Sequence, residues 1–446
     1  MISQSIITDI TLAVSFMADE SSRGGKVASI FHQALRSNLI LSICIGLVVF
    51  FAANELSIRL IGDYGHTIFF QVLAVDIVFY AGLLPTSVAA ILGLQKFKVS
   101  ASFGVINALL RQSLTVLFII LMHNFLGLIV AWVVADLVSA LVYLAYLLMS
   151  LGAPSYEFPL GKLIHFSWPL CVSNTLSYGH MWFDRVLLLL FVPLSTLGVY
   201  NVVLIVFGVL ADLTAAVSTT LLPIYSALQG SDERGNLSEA TRLGTRYVAL
   251  CVIPLALGLL ALSKPAIVLL AGQSYVAGAG PLMLLAGVFA LTSFGTALMP
   301  LLVALAETRV ISWITSSSLA ISVIVAFVLM PQWGIVGAAV ARAVSMILVA
   351  GFVMLILSRK VKLHVDIGAI WKSLVAGAIM ASVIVLVQIP FYSKFLLPLY
   401  AVLGVSVYLV TLRALRGLRQ DDIDLLRGYL GHRFAFIADL LSRVLV

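Results

Sequence analysis

The sequence predicts an all-α integral membrane protein: two pseudo-symmetric helical lobes around a central cavity, a C-terminal helix hairpin and about 13 transmembrane segments. Three observations carry this. Of 446 residues, 62% are hydrophobic and only 10% charged, whereas a soluble domain is nearer half apolar and a quarter charged. Apolar runs of about 20 residues, the length that crosses a bilayer core, follow one another almost from end to end. And the first half of the chain recurs, weakly, in the second at a shift of about 203 to 210 residues.

The apolar runs lie at about 3–18, 38–61, 67–92, 101–122, 125–150, 163–192, 196–226, 247–270, 280–305, 311–330, 334–358, 370–389 and 395–413. They are continuous, not alternating over about ten residues, which excludes a β-barrel. The connections alternate in charge. One set carries Arg23, Lys26, Arg36, Lys96, Lys98, Lys162, Arg234, Arg242, Arg246, Arg309, Arg359, Lys360, Lys362 and Lys372; the other carries only Arg59, Lys264 and Lys394. The positive-inside rule puts the first set and the C-terminus in the cytoplasm. The net charge of +7 is therefore dispersed as a topology signal and forms no nucleic-acid-binding domain.

The repeat is clearest where Asp9-Ile10-Thr11-Leu12-Ala13-Val14-Ser15 returns as Asp212-Leu213-Thr214-Ala215-Ala216-Val217-Ser218. Arg36 and the run ending at Gly62 match Arg246 and the run ending at Gly272, and Gly127-Leu128-Ile129 is echoed by Gly334-Ile335-Val336. The lobes predicted from this are 1–150 and 163–358, with an added hairpin at 370–413. The helix at 163–192 has no counterpart before the segment at 3–18, so the N-terminal lobe is expected to lack a first helix and loop, the reading frame starting upstream of Met1. A five-helix N-terminal lobe is the alternative. Residues 416–446 carry Ile423, Leu426, Leu430, Ile437, Leu441 and Val444 at helical spacing among arginines, the pattern of an amphipathic helix on the cytoplasmic lipid surface or of a solvated tail.

Cys44, Cys171 and Cys251 lie within apolar runs and form no CxxC or Cys/His cluster, so no disulfide or metal site is expected. The chemistry-bearing residues are the intramembrane charges Asp9, Asp76, Arg111, Asp136, Asp184, Arg185, Asp212 and Arg342. A charge at the bilayer centre costs roughly 2.5 to 3.5 kcal/mol on insertion scales, so such residues face a bundle interior or an aqueous path. Asp136 and Arg342 stand at near-equivalent repeat positions and also suit helix-to-helix glue; Asp76 and Arg111 suit a pair within the N-terminal lobe. Asp184 and Arg185 are about 100° apart on one helix and cannot face each other. Pro85, Pro169, Pro223, Pro254 and Pro300 interrupt apolar helices and offer kinks.

The run Trp182-Phe183-Asp184-Arg185-Val186-Leu187-Leu188, followed by Leu197-Gly198-Val199-Tyr200-Asn201, resembles the seventh helix and following turn of Wzx-type polysaccharide-export flippases, in the multidrug/oligosaccharidyl-lipid/polysaccharide superfamily. The resemblance spans nearly the whole chain through its helix pattern and duplicated halves. It implies two six-helix lobes, a terminal helix pair and translocation of lipid-linked sugars. By the family's pattern the segments at 3–18, 163–192 and 196–226 line the cavity, which assigns Arg185, Asp184, Asp212 and Asp9 to substrate binding or the pathway, and leaves Asp76, Arg111, Asp136 and Arg342 to the pathway or to lobe stability. An arginine there suits a pyrophosphate, whose oxygens a guanidinium holds with paired charge-assisted hydrogen bonds.

Two transport functions stay open: flipping of a polyprenyl-pyrophosphate-linked oligosaccharide across the cytoplasmic membrane for surface polysaccharide or glycan assembly, and cation-coupled multidrug antiport. No cofactor is expected, and coupling to H+ or Na+ is undetermined. The partners expected are the lipid-linked oligosaccharide, membrane lipids and other polysaccharide assembly proteins, with no nucleic acid. An enzyme of the same pathway is disfavoured by the absence of paired loop carboxylates, a Ser/His/Asp set or a Gly-rich phosphate cradle.

Overall fold

In hydrocarbon each backbone polar group must be satisfied within its own segment, and runs as apolar as these accordingly fold as helices. The computed structural model describes residues 23–94, 96–151, 160–230, 234–361 and 363–417, and among these the regular structure is entirely helical. The segment at 3–18 with Asp9, and the tail at 418–446, lie outside the described residues.

The chain divides into two compact units, Met1–Gly179 and His180–Val446. In the first, α1 (Arg23–Phe51) and α2 (Ala53–Ile61) are followed by α3 (Thr67–Asp76), a π-helical stretch Ile77–Leu83, α4 (Leu84–Gly93), α5 (Phe97–Met122) and α6 (Phe125–Ser150). The expected helix at 67–92 thus widens in its middle. Pro85 explains the position: its ring cannot tolerate the carbonyl four residues back in an α-helix, and the wider turn before it relieves that clash. Phe31, Ile91, Tyr143 and Leu147 form the core of this unit. No residue of α5 is buried, and Val105, Ile106, Leu109, Val116 and Ile120 expose an apolar face suited to lipid.

Helix α7 (Leu160–Leu188) crosses from one unit to the other. After it come α8 (Leu194–Gly230), α9 (Arg234–Ala271), α10 (Ala279–Thr292), α11 (Phe294–Ala304), α12 (Thr308–Lys360), α13 (Ile367–Gln388) and α14 (Leu397–Ala414). Tyr200, Leu188, Ile267, Leu282 and Leu285 centre its core. Pro223, Pro254 and Pro300 sit within continuing helices, and the sharp break falls at a glycine instead: Gly334, at φ 52° and ψ −123°, separates two helices within α12. The segments at 311–330 and 334–358 are therefore distinct helices joined end to end.

Ten described helices are long and apolar enough to cross a membrane. The difference from thirteen is accountable. One predicted segment lies outside the described residues, the two halves of α12 count together, and α7, helical throughout, is too polar to qualify.

The added hairpin is fastened by one buried arginine. Arg246 of α9, 4% exposed, reaches the Asp366 carboxylate at 3.3 Å and the Gly417 carbonyl at 2.9 Å. Asp366 also caps α13 by accepting from the Ala369 N–H at 2.8 Å. Arg36, its repeat counterpart, is exposed on α1.

Candidate functional site

The last turns of α7 hold a buried charge cluster of the second unit. Asp184 has a side chain with no exposure. Arg342 of α12 grips it at two points, Nε to Oδ2 at 2.5 Å and Nη2 to Oδ1 at 2.9 Å. The Tyr200 hydroxyl of α8 donates to Oδ2 at 2.6 Å, and the Arg185 backbone N–H donates to Oδ1 at 2.9 Å. Arg342 Nη2 also donates to the Met181 carbonyl at 2.8 Å. A buried carboxylate needs a partner and several donors to offset its desolvation, and Asp184 has both. Asp184 thus occupies a packed position that ties α7 to α8 and α12.

Arg185 is held differently. It belongs to the last turn of α7, where the helix dipole favours a cation. Its guanidinium carbon lies 4.3 Å from the Trp182 ring, a cation–π contact one turn back along the helix. Nε has no hydrogen-bond partner, and no acid among the described residues comes within salt-bridge distance. Asp212 is exposed at the middle of α8 and likewise makes no ion pair with the described residues. The structure therefore does not join Arg185 to Asp212.

In the first unit Arg111 of α5 meets Asp136 of α6 at 3.8 Å, its guanidinium stacked 4.6 Å from the Trp132 ring and 5.3 Å from Tyr80. Sequence reading pairs Arg111 with Asp76; the shorter approach is to Asp136. Asp76, at the end of α3, is also buried.

Sequence reasoning missed Tyr200, His180 and Trp182 as members of the α7 site. Tyr200 lies in the run that carries the family resemblance, yet no spacing rule links it to a carboxylate 16 residues earlier on another helix. His180 accepts or donates at Ser345 Oγ, 3.1 Å away, with nothing in its own neighbourhood in sequence to signal it.

A model of lipid II flippase MurJ matches residues 191–410. A probable low-salt glycan biosynthesis flippase, Agl15, of Haloferax volcanii is 27% identical over 196 residues, 44% of this chain and 41% of that protein. The chain thus spans about two fifths of the length of that curated relative. Among solved structures, the inward closed conformation of lipid II flippase MurJ shares the fold at a TM-score of 0.76 and 14% identity, covering 92% of this chain and 87% of that one. An inward-facing multidrug resistance MATE family transporter follows at 0.66 and 15%, covering 81% and 87%. The model of the polysaccharide biosynthesis proteins matches residues 23–279, more than half of the sequence, and the chain belongs to that family.

Proposed function

We propose that this multi-pass membrane protein moves a polyprenyl-pyrophosphate-linked oligosaccharide across the cytoplasmic membrane by alternating access, supplying surface polysaccharide or glycan assembly. The observation that carries the reading is Arg185. Its positive charge has no acid among the described residues to neutralise it, while the other arginine of the site, Arg342, is saturated by Asp184. An anion is the chemistry such a cation attracts, and a pyrophosphate matches its planar fork of donors. The polar character of α7 and the exposed Asp212 on α8 suit helices in contact with a hydrated cargo. Membership of the polysaccharide biosynthesis family and likeness to two named flippases agree.

The orientation follows the charge pattern, with the basic connections and the C-terminus cytoplasmic. Transport by this route asks for no covalent chemistry from the protein. Other polysaccharide assembly proteins are its expected neighbours. Cation-coupled drug antiport is the second reading, favoured by the MATE fold likeness and by Asp212.

The deciding experiment is replacement of Arg185 in cells where glycan export can be scored. Arg185→Lys keeps the charge and loses the fork, and Arg185→Ala loses both. Export is expected to fall for both and further for alanine, at unchanged protein abundance. A well-expressed Arg185→Ala protein with full export would sink the reading.

A further inference from the structure

The first unit holds a charge imbalance that the α7 site does not explain. Asp136 is 1% exposed and Asp76 is 7% exposed. Neither oxygen of Asp136 has a hydrogen-bond partner, nor does Oδ1 of Asp76. One cation, Arg111, serves both: it stands 3.8 Å from Asp136 and attracts Asp76 through space, while the two carboxylates are near enough to repel. Among the described residues, two buried acids beside one base leave a net negative charge within a membrane helix bundle, an arrangement that calls for one more positive charge.

Among the described residues the other neighbours do not supply it. Asn107 of α5 faces Asp136 outside hydrogen-bond geometry and is neutral. On α6 the adjoining ring is Trp132, and on the π-helical stretch it is Tyr80, both occupied under Arg111. From α1, the part packed here runs through Gly46, which touches the Ala74 carbonyl; between Ser42 and Phe50 its only titratable group is Cys44, which is exposed. On α4 there is no acid or base.

We propose that Asp76 and Asp136 share one exchangeable proton beside Arg111, a proton-binding site of the first unit. Binding is a simple addition: H+ from water forms an O–H bond on a carboxylate oxygen and takes the cluster from a net charge of −1 to neutral, and release reverses both. A proton suits this place better than a metal ion. A metal needs several oxygen ligands and would be repelled by the guanidinium, and no group of three or more His, Cys, Asp or Glu among the described residues could hold one. A proton needs only a single oxygen. Asp76 is also the last residue before the π-helical stretch, and such widened turns recur at functional sites. Within the transport reading, on which its purpose rests, this proton is the coupling ion.

The test uses the full chain in lipid nanodiscs and infrared difference spectra between mildly acidic and mildly alkaline buffers, following the carboxylic acid carbonyl stretch. Wild type is expected to show one such band that titrates. Asp76→Asn, which leaves the Arg111–Asp136 pair with balanced charge, should abolish it, and Asp212→Asn should keep it. Asp76→Glu retains the carboxyl and should show a titrating band at an altered frequency, which covers the case of an asparagine variant that does not fold. No titrating band in wild type, an unaltered band in Asp76→Glu, or its persistence in Asp76→Asn would overturn the site. So would a shift of the wild-type titration when sodium replaces choline, which would make the ligand a metal cation. The band is read on purified protein without cargo, so its absence removes the proton site alone, whereas full export by Arg185→Ala removes the transport reading alone.

Discussion

Asp184 and Arg342, 158 residues apart in the chain, meet as a two-point ion pair in which the carboxylate has no solvent exposure. Asp184 is thereby taken out of play as a free charge, while the next residue, Arg185, meets no acid at salt-bridge distance among the described residues. Two adjacent charges of one helix thus have different surroundings in the fold.

Breaking this pair from one side should be costly. Removing one partner of a buried ion pair costs about 3 to 5 kcal/mol, because the survivor stays buried without compensation. Asp184→Leu and Arg342→Met should each lower the unfolding temperature and the cellular abundance, and the double variant should recover most of both. A thermal-unfolding double-mutant cycle in detergent measures it. Additive losses in the double variant would show that the two residues do not stabilise each other.

Tyr200→Phe removes one donor from the same carboxylate and leaves the ion pair intact. A lost hydrogen bond to a charged group is worth about 1.5 to 3 kcal/mol. The variant is expected to lie between wild type and Arg342→Met in the same unfolding assay, and a loss equal to that of Arg342→Met would contradict the geometry.

Arg246→Ala should loosen the α13–α14 hairpin, because the Asp366 carboxylate and the Gly417 carbonyl lose a shared buried donor. Arg36→Ala, at the matching repeat position but exposed, should stay within about 0.5 kcal/mol of wild type. Limited proteolysis near the C-terminus is the readout; equal sensitivity in the two variants would refute the anchoring role.

Gly337 and Gly127 make the same close approach in their respective units. A Cβ at Gly337 would stand 2.5 Å from the Leu329 carbonyl oxygen, and one at Gly127 would stand 2.5 Å from that of Phe118. Backbone cannot step aside as a side chain can, and overpacking of this kind costs about 1 to 3 kcal/mol. Gly337→Ala should destabilise accordingly, while Gly104→Ala, with open space around it, should not. Fluorescence-detected thermal stability of the pair decides; equal values would show that the approach at Gly337 relaxes freely.

The echo of Gly127 at Gly334 was legible as a repeat, but the backbone assigns the steric role to Gly337 and gives Gly334 the break in α12. Helix class and the position of nearly all apolar segments followed from composition and run length, since a chain this apolar has few other ways to satisfy its backbone in lipid. The list of buried charges was legible for the same reason: each is rare and expensive in such a run. Which charge meets which was not. Arg111 finds Asp136 with Asp76 close by, Arg342 finds Asp184, and Arg246 finds a helix cap 120 residues on, because partners are set by the rotation and depth at which separate helices pack. A sequence fixes the spacing of residues along one helix; only the packed structure sets the angle each helix turns toward its neighbours, and that angle decides which charges are spent and which remain.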